Sequence, residues 1–536
     1  MSWNALGLIP EWARETRRAL FGVILVLAAD VPAQAQDPTV KAFVNVNVVP
    51  MDIEQVLQNH TVVVDGEKIV AVGPSADVNV PPGAEIIAGN GAYLMPGLAD
   101  MHMHLNVDSS PDFMRLFLAE GTTTVRNLNA LPSHLAWRDE VVSGERVGPT
   151  IYTSGPVIVG PPDPTIVWTF RALIVGGLLA LGGALWIVLW LWRRLRGQKE
   201  EARRLRGTVL PGALALAVLG GVLIWTKAIP LNAYTSRKFP MAYVPDTEKR
   251  ARAEVRRQAE AGYDLIKMYD WMTRDQYLGA VDEARTQGIY VIGHLDHGVE
   301  DPFATGLREA AHVDEFLDEH LMGEMSPRAF QPFPMNLESI PRSVASVVEH
   351  DALVVSNMVT DVITYEYLEE GPSYFERPEY LRVRPEIIQE WLGSRMVNWQ
   401  GQQEWRRNTL QPFLERMIQT LNAAGVPILT GTDTGVEGGL PEHIHRELKL
   451  LVRAGLSPYE ALSAGTKNAR LSVNRMGVDD AFGEVVVGQR ADLMLLKSNP
   501  LENVGATRHR LGVMSRGRWH TQAELDELVS EVVATY

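Results

Sequence analysis

Pro96-Gly97-Leu98-Ala99-Asp100-Met101-His102-Met103-His104-Leu105 is the stretch from which the rest of the chain can be read. It is apolar apart from one aspartate and two histidines one residue apart. In a strand, residues i and i+2 point to the same side. Both imidazoles can therefore reach one point, as two ligands of a single metal ion must. A bare His-x-His fits two core or surface histidines equally well, so its meaning depends on the remainder of the chain.

The chain has 536 residues, enough for roughly two to four units. With 46% hydrophobic and 21% charged residues it is expected to fold as a globular protein. The formal net charge of −15 argues against a nucleic-acid partner, which needs a basic face. There is no cysteine, which excludes disulfides, thiolate metal sites and cysteine nucleophiles. Nothing in the composition opposes a homo-oligomer.

The amino-terminal residues 1–35 read as a signal peptide. Arg14, Arg17 and Arg18 precede an apolar run at 19–29, and Ala33-Gln34-Ala35 offers small residues where a signal peptidase cuts. Cleavage there would leave Gln36 as the first residue; a short amphipathic helix is the competing reading. Residues 36–95 are β-rich and are expected to form the first part of a small β-sandwich. Residues 41–49 alternate like a strand, and 61–73 read as a hairpin with Asp65-Gly66 at the turn. Residues 483–496 are β-like again, within a second sandwich part and C-terminal helix at 476–536.

Between these flanks, strands alternate with helical patterns, as in βα units around a parallel sheet. Strands are predicted to end at His104 and to run over 122–128, 150–155, 264–269, 289–294, 311–313, 352–357 and 426–433. Helices are predicted over 246–261, 273–287, 404–424, 441–454 and 458–467. The barrel comes in two parts, 96–165 and 231–475. Residues 325–403, rich in Glu, Arg, Tyr and Trp, are irregular apart from one strand, and part of them is expected to form loops over the site.

Residues 166–230 break this rhythm. Residues 172–192 and 208–226 contain no charged side chain, and each run is roughly the 20 residues that cross a bilayer. Buried barrel helices are the competing reading. The connector at 193–206 holds Arg193, Arg194, Arg196, Lys199, Arg203, Arg204 and Arg206. Basic connectors stay in the cytoplasm, so a transmembrane hairpin would enter and leave the lipid bilayer from the outer side. The barrel would then be membrane-anchored and extracytoplasmic, either periplasmic or on the outer face of the cytoplasmic membrane. As an insertion after the third strand, the hairpin would leave the face of the barrel where active sites are built. The site mouth would face the membrane, which favours an amphiphilic small-molecule substrate.

Polar groups recur at the C-terminal ends of the predicted strands. Beyond His102 and His104 these are Lys267, His294, His312 and Asp433. Alone, each reads as an ordinary strand-end, core or turn residue. Together, and in this order on a βα chain, they resemble the ligand series of the amidohydrolase superfamily, whose members are (β/α)8-barrel metal hydrolases. Further stretches carry the resemblance: Glu120-Gly121-Thr122-Thr123-Thr124-Val125-Arg126, Gly425-Val426-Pro427, Ala454-Gly455-Leu456-Ser457-Pro458 and Gly488-Gln489-Arg490-Ala491-Asp492-Leu493. It covers most of residues 40–520 and is greatest for the imidazolonepropionase-like and prolidase-like branch.

The resemblance implies two divalent metal ions. His102, His104, Lys267 and Asp433 would hold one, and Lys267, His294 and His312 the other, with Lys267 carboxylated by CO2 and bridging as a carbamate. Histidine and oxygen ligands suit zinc. It further implies hydrolysis of an amide bond, such as that of an N-acyl amino acid or short peptide, by a metal-bridged hydroxide, with Asp433 as proton shuttle. Tyr269, two residues beyond Lys267 on the same strand face, is a candidate substrate contact. His297 is a rival ligand to His294, and His443 and His445 are read as structural. The competing functions are a mononuclear deaminase or cyclic-amide hydrolase, and a non-catalytic membrane receptor or scaffold.

Overall fold

The computed structural model describes residues 40–105, 111–160, 188, 192–197, 242–295, 297–317, 335–398, 400–435 and 438–535. The expected signal peptide lies outside them, as does the expected transmembrane hairpin apart from residues 188 and 192–197. Among the described residues no helix is long and apolar enough to cross a membrane.

Five strands open the described chain: β1 (Val40–Val48), β2 (Leu57–Asp65), β3 (Lys68–Pro74), β4 (Glu85–Ala88) and β5 (Tyr93–Pro96). Eight more follow: β6 (Leu98–Met103), β7 (Thr122–Asn127), β8 (Thr150–Thr153), β9 (Leu265–Met268), β10 (Tyr290–Gly293), β11 (Glu309–Ala310), β12 (Leu353–Val355) and β13 (Ile428–Leu429). The last three are β14 (Leu493–Leu496), β15 (Arg510–Ser515) and β16 (Arg518–Thr521). The two ends of the chain meet in one sheet, in the order β16-β15-β14-β5-β1-β2-β3 with β4 on β1. Its core includes Phe43, Val62, Leu94, Leu493 and Leu495. Of the expected strand at 483–496, only 493–496 forms a strand; Arg490 adds a single antiparallel bridge to Lys68 of β3, and the residues before it turn around two glycines, Gly483 and Gly488, at positive φ.

The eight middle strands are all parallel to their neighbours, β6-β7-β8 in one run and β9 to β13 in the other. Bridges between Ser154 and Leu265 and between Met103 and Thr434 join the two runs at both seams, closing the barrel. The helices around it start and stop where their sequences direct. Thr273 and Gln276 cap each other at the start of Arg274–Gln287, and Gly288 ends it in the left-handed region. Ser457 and Glu460 do the same for Pro458–Ala464, with proline at its first turn.

The sixth strand departs from expectation. It is Glu309–Ala310 rather than 311–313, and His312 falls after it, at the entrance of the 3-10 turn Val313–Phe316. The described part of the irregular stretch is largely helical, with Ile340–Glu349, Val359–Glu370 and Pro385–Asn398 around β12. Tyr374, Phe375 and Tyr380 pack together there, and the Tyr380 hydroxyl donates to the carbonyl of Gly438, in the loop that follows Asp433.

Alternation along a strand decides what faces the lumen. Leu265 on β9 and Tyr290 and Ile292 on β10 share one cluster with Ala99, Leu353 and Leu429 from other barrel strands. Lys267 and His294 lie two residues beyond Leu265 and Ile292 and so face the same interior. Within the barrel, Arg126 on β7 and Glu309 on β11 form a fully buried ion pair. Arg126 Nε donates to the carbonyl of Met101 at 2.8 Å, and Tyr290 and Ser472 donate to Glu309 at 3.2 and 2.9 Å. Removing one partner of such a pair strands the other charge. Arg126→Met should destabilise the fold by about 3–5 kcal/mol in urea unfolding, and Arg126→Met/Glu309→Leu should recover most of that. A single variant as stable as the parent would contradict the reading.

Candidate metal centre

The first ligand pair is held in place by backbone and by Asp100. The Asp100 carboxylate accepts from the amides of His102 and Thr432, both at 3.2 Å, and from the Thr432 hydroxyl at 2.5 Å. The carbonyl of His102 accepts from the amide of Asp433 at 2.8 Å, and the amide of His104 donates to the carbonyl of Thr434 at 2.8 Å. This stitching explains Gly431-Thr432-Asp433-Thr434-Gly435. A Cβ on Gly431 would lie 2.7 Å from that of His102, and one on Gly435 would lie 2.0 Å from the carbonyl oxygen of His104. Asp433 itself takes φ +54°, a left-handed turn that is uncommon for a non-glycine residue.

The result is a tight cluster. His104 Nε2 lies 3.0 Å and His102 Nε2 3.4 Å from Asp433 Oδ1, with 3.2 Å between the two nitrogens. His102 Nδ1 is 2.8 Å from the carbonyl of Ala311. A carbonyl only accepts, so Nδ1 carries the proton and Nε2 presents a lone pair. Burial first, and then the cations around it, hold His102 well below the usual imidazole range.

The second cluster sits beside the first. The His312 ring centroid is 4.5 Å from that of His102 and 4.8 Å from that of His294. Both of its histidines turn Nδ1 toward carboxylates. His294 Nδ1 is 2.5 Å from Asp270 and 3.1 Å from Glu315; His312 Nδ1 is 3.1 Å from Asp314 and 3.0 Å from Glu315. Burial alone would lower the His312 pKa, but Asp314 and Glu315 outweigh it and push it up to about 10. An environment that favours a proton there also favours a dication.

Lys267 completes the arrangement. It is fully buried, and its Nζ has no hydrogen-bond partner. Burial depresses its pKa to about 8, against the pull of Glu315, Asp433 and Asp270. An amine buried without a partner is costly, and a neutral one is a nucleophile. The donor set (four imidazoles, carboxylates and an orphaned amine) fits divalent metal binding better than it fits a structural core.

Of the sequence-predicted residues, the structure brings together His102, His104 and Asp433 in one group and His294 and His312 in the next, with the charge of Lys267 felt at both His102 and His312. Tyr269 lies against His294, ring centroids 4.0 Å apart. His297 does not join them; its Nε2 lies 3.1 Å from the carbonyl of Met272. His443 accepts from the amide of Leu440 at 3.0 Å, and His445 Nδ1 lies 2.9 Å from the Thr507 hydroxyl. Asp270, Asp314 and Glu315 were not singled out from the sequence. Their one signal was position: Asp270 follows the Lys267 strand, and Glu315 stands three residues after His312.

A parallel barrel with histidines, a lysine and an aspartate at its C-terminal rim defines the metal-site class of barrel hydrolases. The chain belongs to the amidohydrolase family, which it matches over residues 93–520, a family of hydrolases acting on carbon–nitrogen bonds. Among solved structures it resembles a bottromycin amidohydrolase (TM-score 0.60, 19% identity, covering 93% of this chain and 91% of that one). It also resembles the ochratoxinase of Aspergillus niger (0.55, 18%, 90% and 95%). A prolidase complexed with N-methylphosphonate-L-proline is similar as well (0.55, 19%, 90% and 100%). At these identities the likeness shows the fold. Curated relatives match over short stretches only. An adenine deaminase of Ruegeria sp. (strain TM1040) is 37% identical over 73 residues, 13% of this chain and 12% of its own length. The Aspergillus niger ochratoxinase is 42% identical over 82 residues, 15% of this chain and 16% of its own length.

Proposed function

We propose that this protein is a membrane-anchored, two-metal amidohydrolase that cleaves the amide bond of an N-acyl amino acid or a short peptide. The observation that carries this reading is the Lys267 amine, buried without a hydrogen bond beside both histidine groups. A neutral amine there can add to CO2, releasing a proton, and the resulting carbamate offers two anionic oxygens. His102, His104 and Asp433 would hold one ion, His294 and His312 the other, with the carboxylated Lys267 shared; zinc suits this donor set.

The bound ions would supply an activated water and a polarised scissile carbonyl. The chain does the rest. Asp433 takes the proton of the attacking water at its carboxylate and returns it to the leaving nitrogen. Tyr269, packed on His294, forms part of the wall that the substrate meets. The barrel walls exclude bulk water from Lys267. The adenine deaminase match favours a deaminase as the second reading, but the buried lysine beside two ligand groups counts against a single-metal site.

The membrane anchor rests on the two uncharged runs and the basic connector at 193–206. Support for its placement comes from both ends of the inserted stretch. The amide of Val159 donates to the carbonyl of Tyr243 at 3.0 Å, and that of Gly160 donates to the carbonyl of Asp270 at 2.8 Å. The chain thus leaves and re-enters beside the Lys267 strand, at the mouth of the barrel. Anchoring at the mouth favours an amphiphilic amide.

Lys267→Ala should lose metal and turnover together, with short carboxylic acids restoring part of both; two ions and full activity in this variant would contradict the proposal. Asp433→Asn should keep most of its metal and lose kcat by roughly 100- to 10,000-fold, whereas a near-normal kcat would remove Asp433 from proton transfer. Reporter fusions after Gly197 and at the carboxyl terminus should report opposite compartments, and kcat/KM should rise with acyl length. One compartment for both fusions, or a flat acyl-length profile, would refute the membrane-facing site.

A further inference from the structure

The seventh barrel strand, β12, lies between β11 and β13, yet none of the groups placed at the metal centre comes from it. Its Leu353 and Val355 face the lumen. Val355 stands beside the first ligand pair: a Cβ on Gly431 would lie 2.5 Å from Cγ1 of Val355 and 2.7 Å from Cβ of His102. Ser356 points the other way. Its hydroxyl donates to Glu447, on the outer helix His443–Arg453, and the same carboxylate accepts from the amides of Met358 and Val359 at 3.1 and 2.7 Å. Met358 shares the outer core with Val354 and Leu448. With Ser356 and Met358 directed outward, Asn357 between them is directed inward. It stands on the rim between Asp433, which follows β13, and His312, which follows β11.

Asn357 is 6% exposed and takes φ +45°, a left-handed turn that asparagine accepts more readily than most side chains. The Thr360 hydroxyl donates to its Oδ1 at 3.3 Å. Its Nδ2 donates to no described residue, so both N–H bonds remain for a molecule that enters the lumen. We propose that Asn357 contacts the substrate, with Nδ2 donating to the carbonyl oxygen of the amide held at the metal centre. This rests on the amide-hydrolase reading above. A neutral carbonyl suits the position better than a carboxylate does, because Asp433, Asp314 and Glu315 follow the two neighbouring strands and repel an anion.

The test measures hydrolysis of a series of N-acyl-L-amino acids and dipeptides by the zinc-loaded full chain for the wild type, Asn357→Gly and Asn357→Asp, with metal content and thermal unfolding followed alongside. Glycine keeps the left-handed turn and removes the amide. Aspartate keeps the shape and the acceptor for Thr360 but replaces both donors with lone pairs. If Asn357 served only to shape the turn, aspartate would be the milder change. A donor to the substrate predicts the reverse order. kcat/KM should fall about 2- to 13-fold in Asn357→Gly and about 5- to 150-fold in Asn357→Asp, with both variants folded and their metal content unchanged. An Asn357→Asp variant that equals or exceeds Asn357→Gly in kcat/KM overturns the proposal, and so does a loss of activity that follows a loss of metal. A wild type that hydrolyses none of the series overturns the amide-hydrolase reading, and this proposal with it.

Discussion

A lysine amine buried inside a barrel has few stable states. Protonated, it needs charge compensation that no hydrogen bond to Nζ supplies. Neutral, it still lacks a partner. Its pKa, drawn down to about 8 by burial, keeps both states within reach near neutrality, and the proposed carbamate would remove the conflict. Much of the site is intelligible as the surroundings of that amine. Asp433, in the loop past β13, acts on it together with Glu315 and Asp270, whose negative charges oppose the effect of burial.

The barrel supplies this arrangement through backbone geometry. Lys267 and His294 face the lumen because Leu265 and Ile292, two residues earlier, already do. His102 and Asp433 come together because the seam between the first and last barrel strands is closed by main-chain hydrogen bonds, by Asp100 and by glycines that leave no room for a side chain. Deeper in the barrel, the Arg126–Glu309 pair spans from the second strand to the sixth. A rigid rim of this kind can hold two ligand groups side by side without help from mobile loops.

The parts of this architecture that repeat locally were legible in the sequence. His-x-His at strand spacing, the Asp-Gly hairpin and the alternation of strands with helices are all short-range patterns. Long-range partners were not. Nothing near Glu309 announces Arg126, 183 residues away. The sixth strand was misplaced by two residues because it is only two residues long, and His312 belongs to the turn after it. The carboxylates beside His294 and His312 were not legible because acidic residues are common near strand ends and only the fold shows which imidazole they approach. Val359–Glu370 and Pro385–Asn398 were obscured by weak amphipathic patterning, whereas Ile340–Glu349 carries a clear apolar face.

The claim on which everything else depends is that Lys267 is carboxylated. The most direct measurement is 13C NMR of the metal-loaded full chain equilibrated with 13C-bicarbonate, alongside Lys267→Ala. The account predicts one slowly exchanging carbamate resonance in the parent protein that is absent from the variant. A parent protein that binds its metals and shows no such resonance, or a resonance that survives in Lys267→Ala, would contradict it.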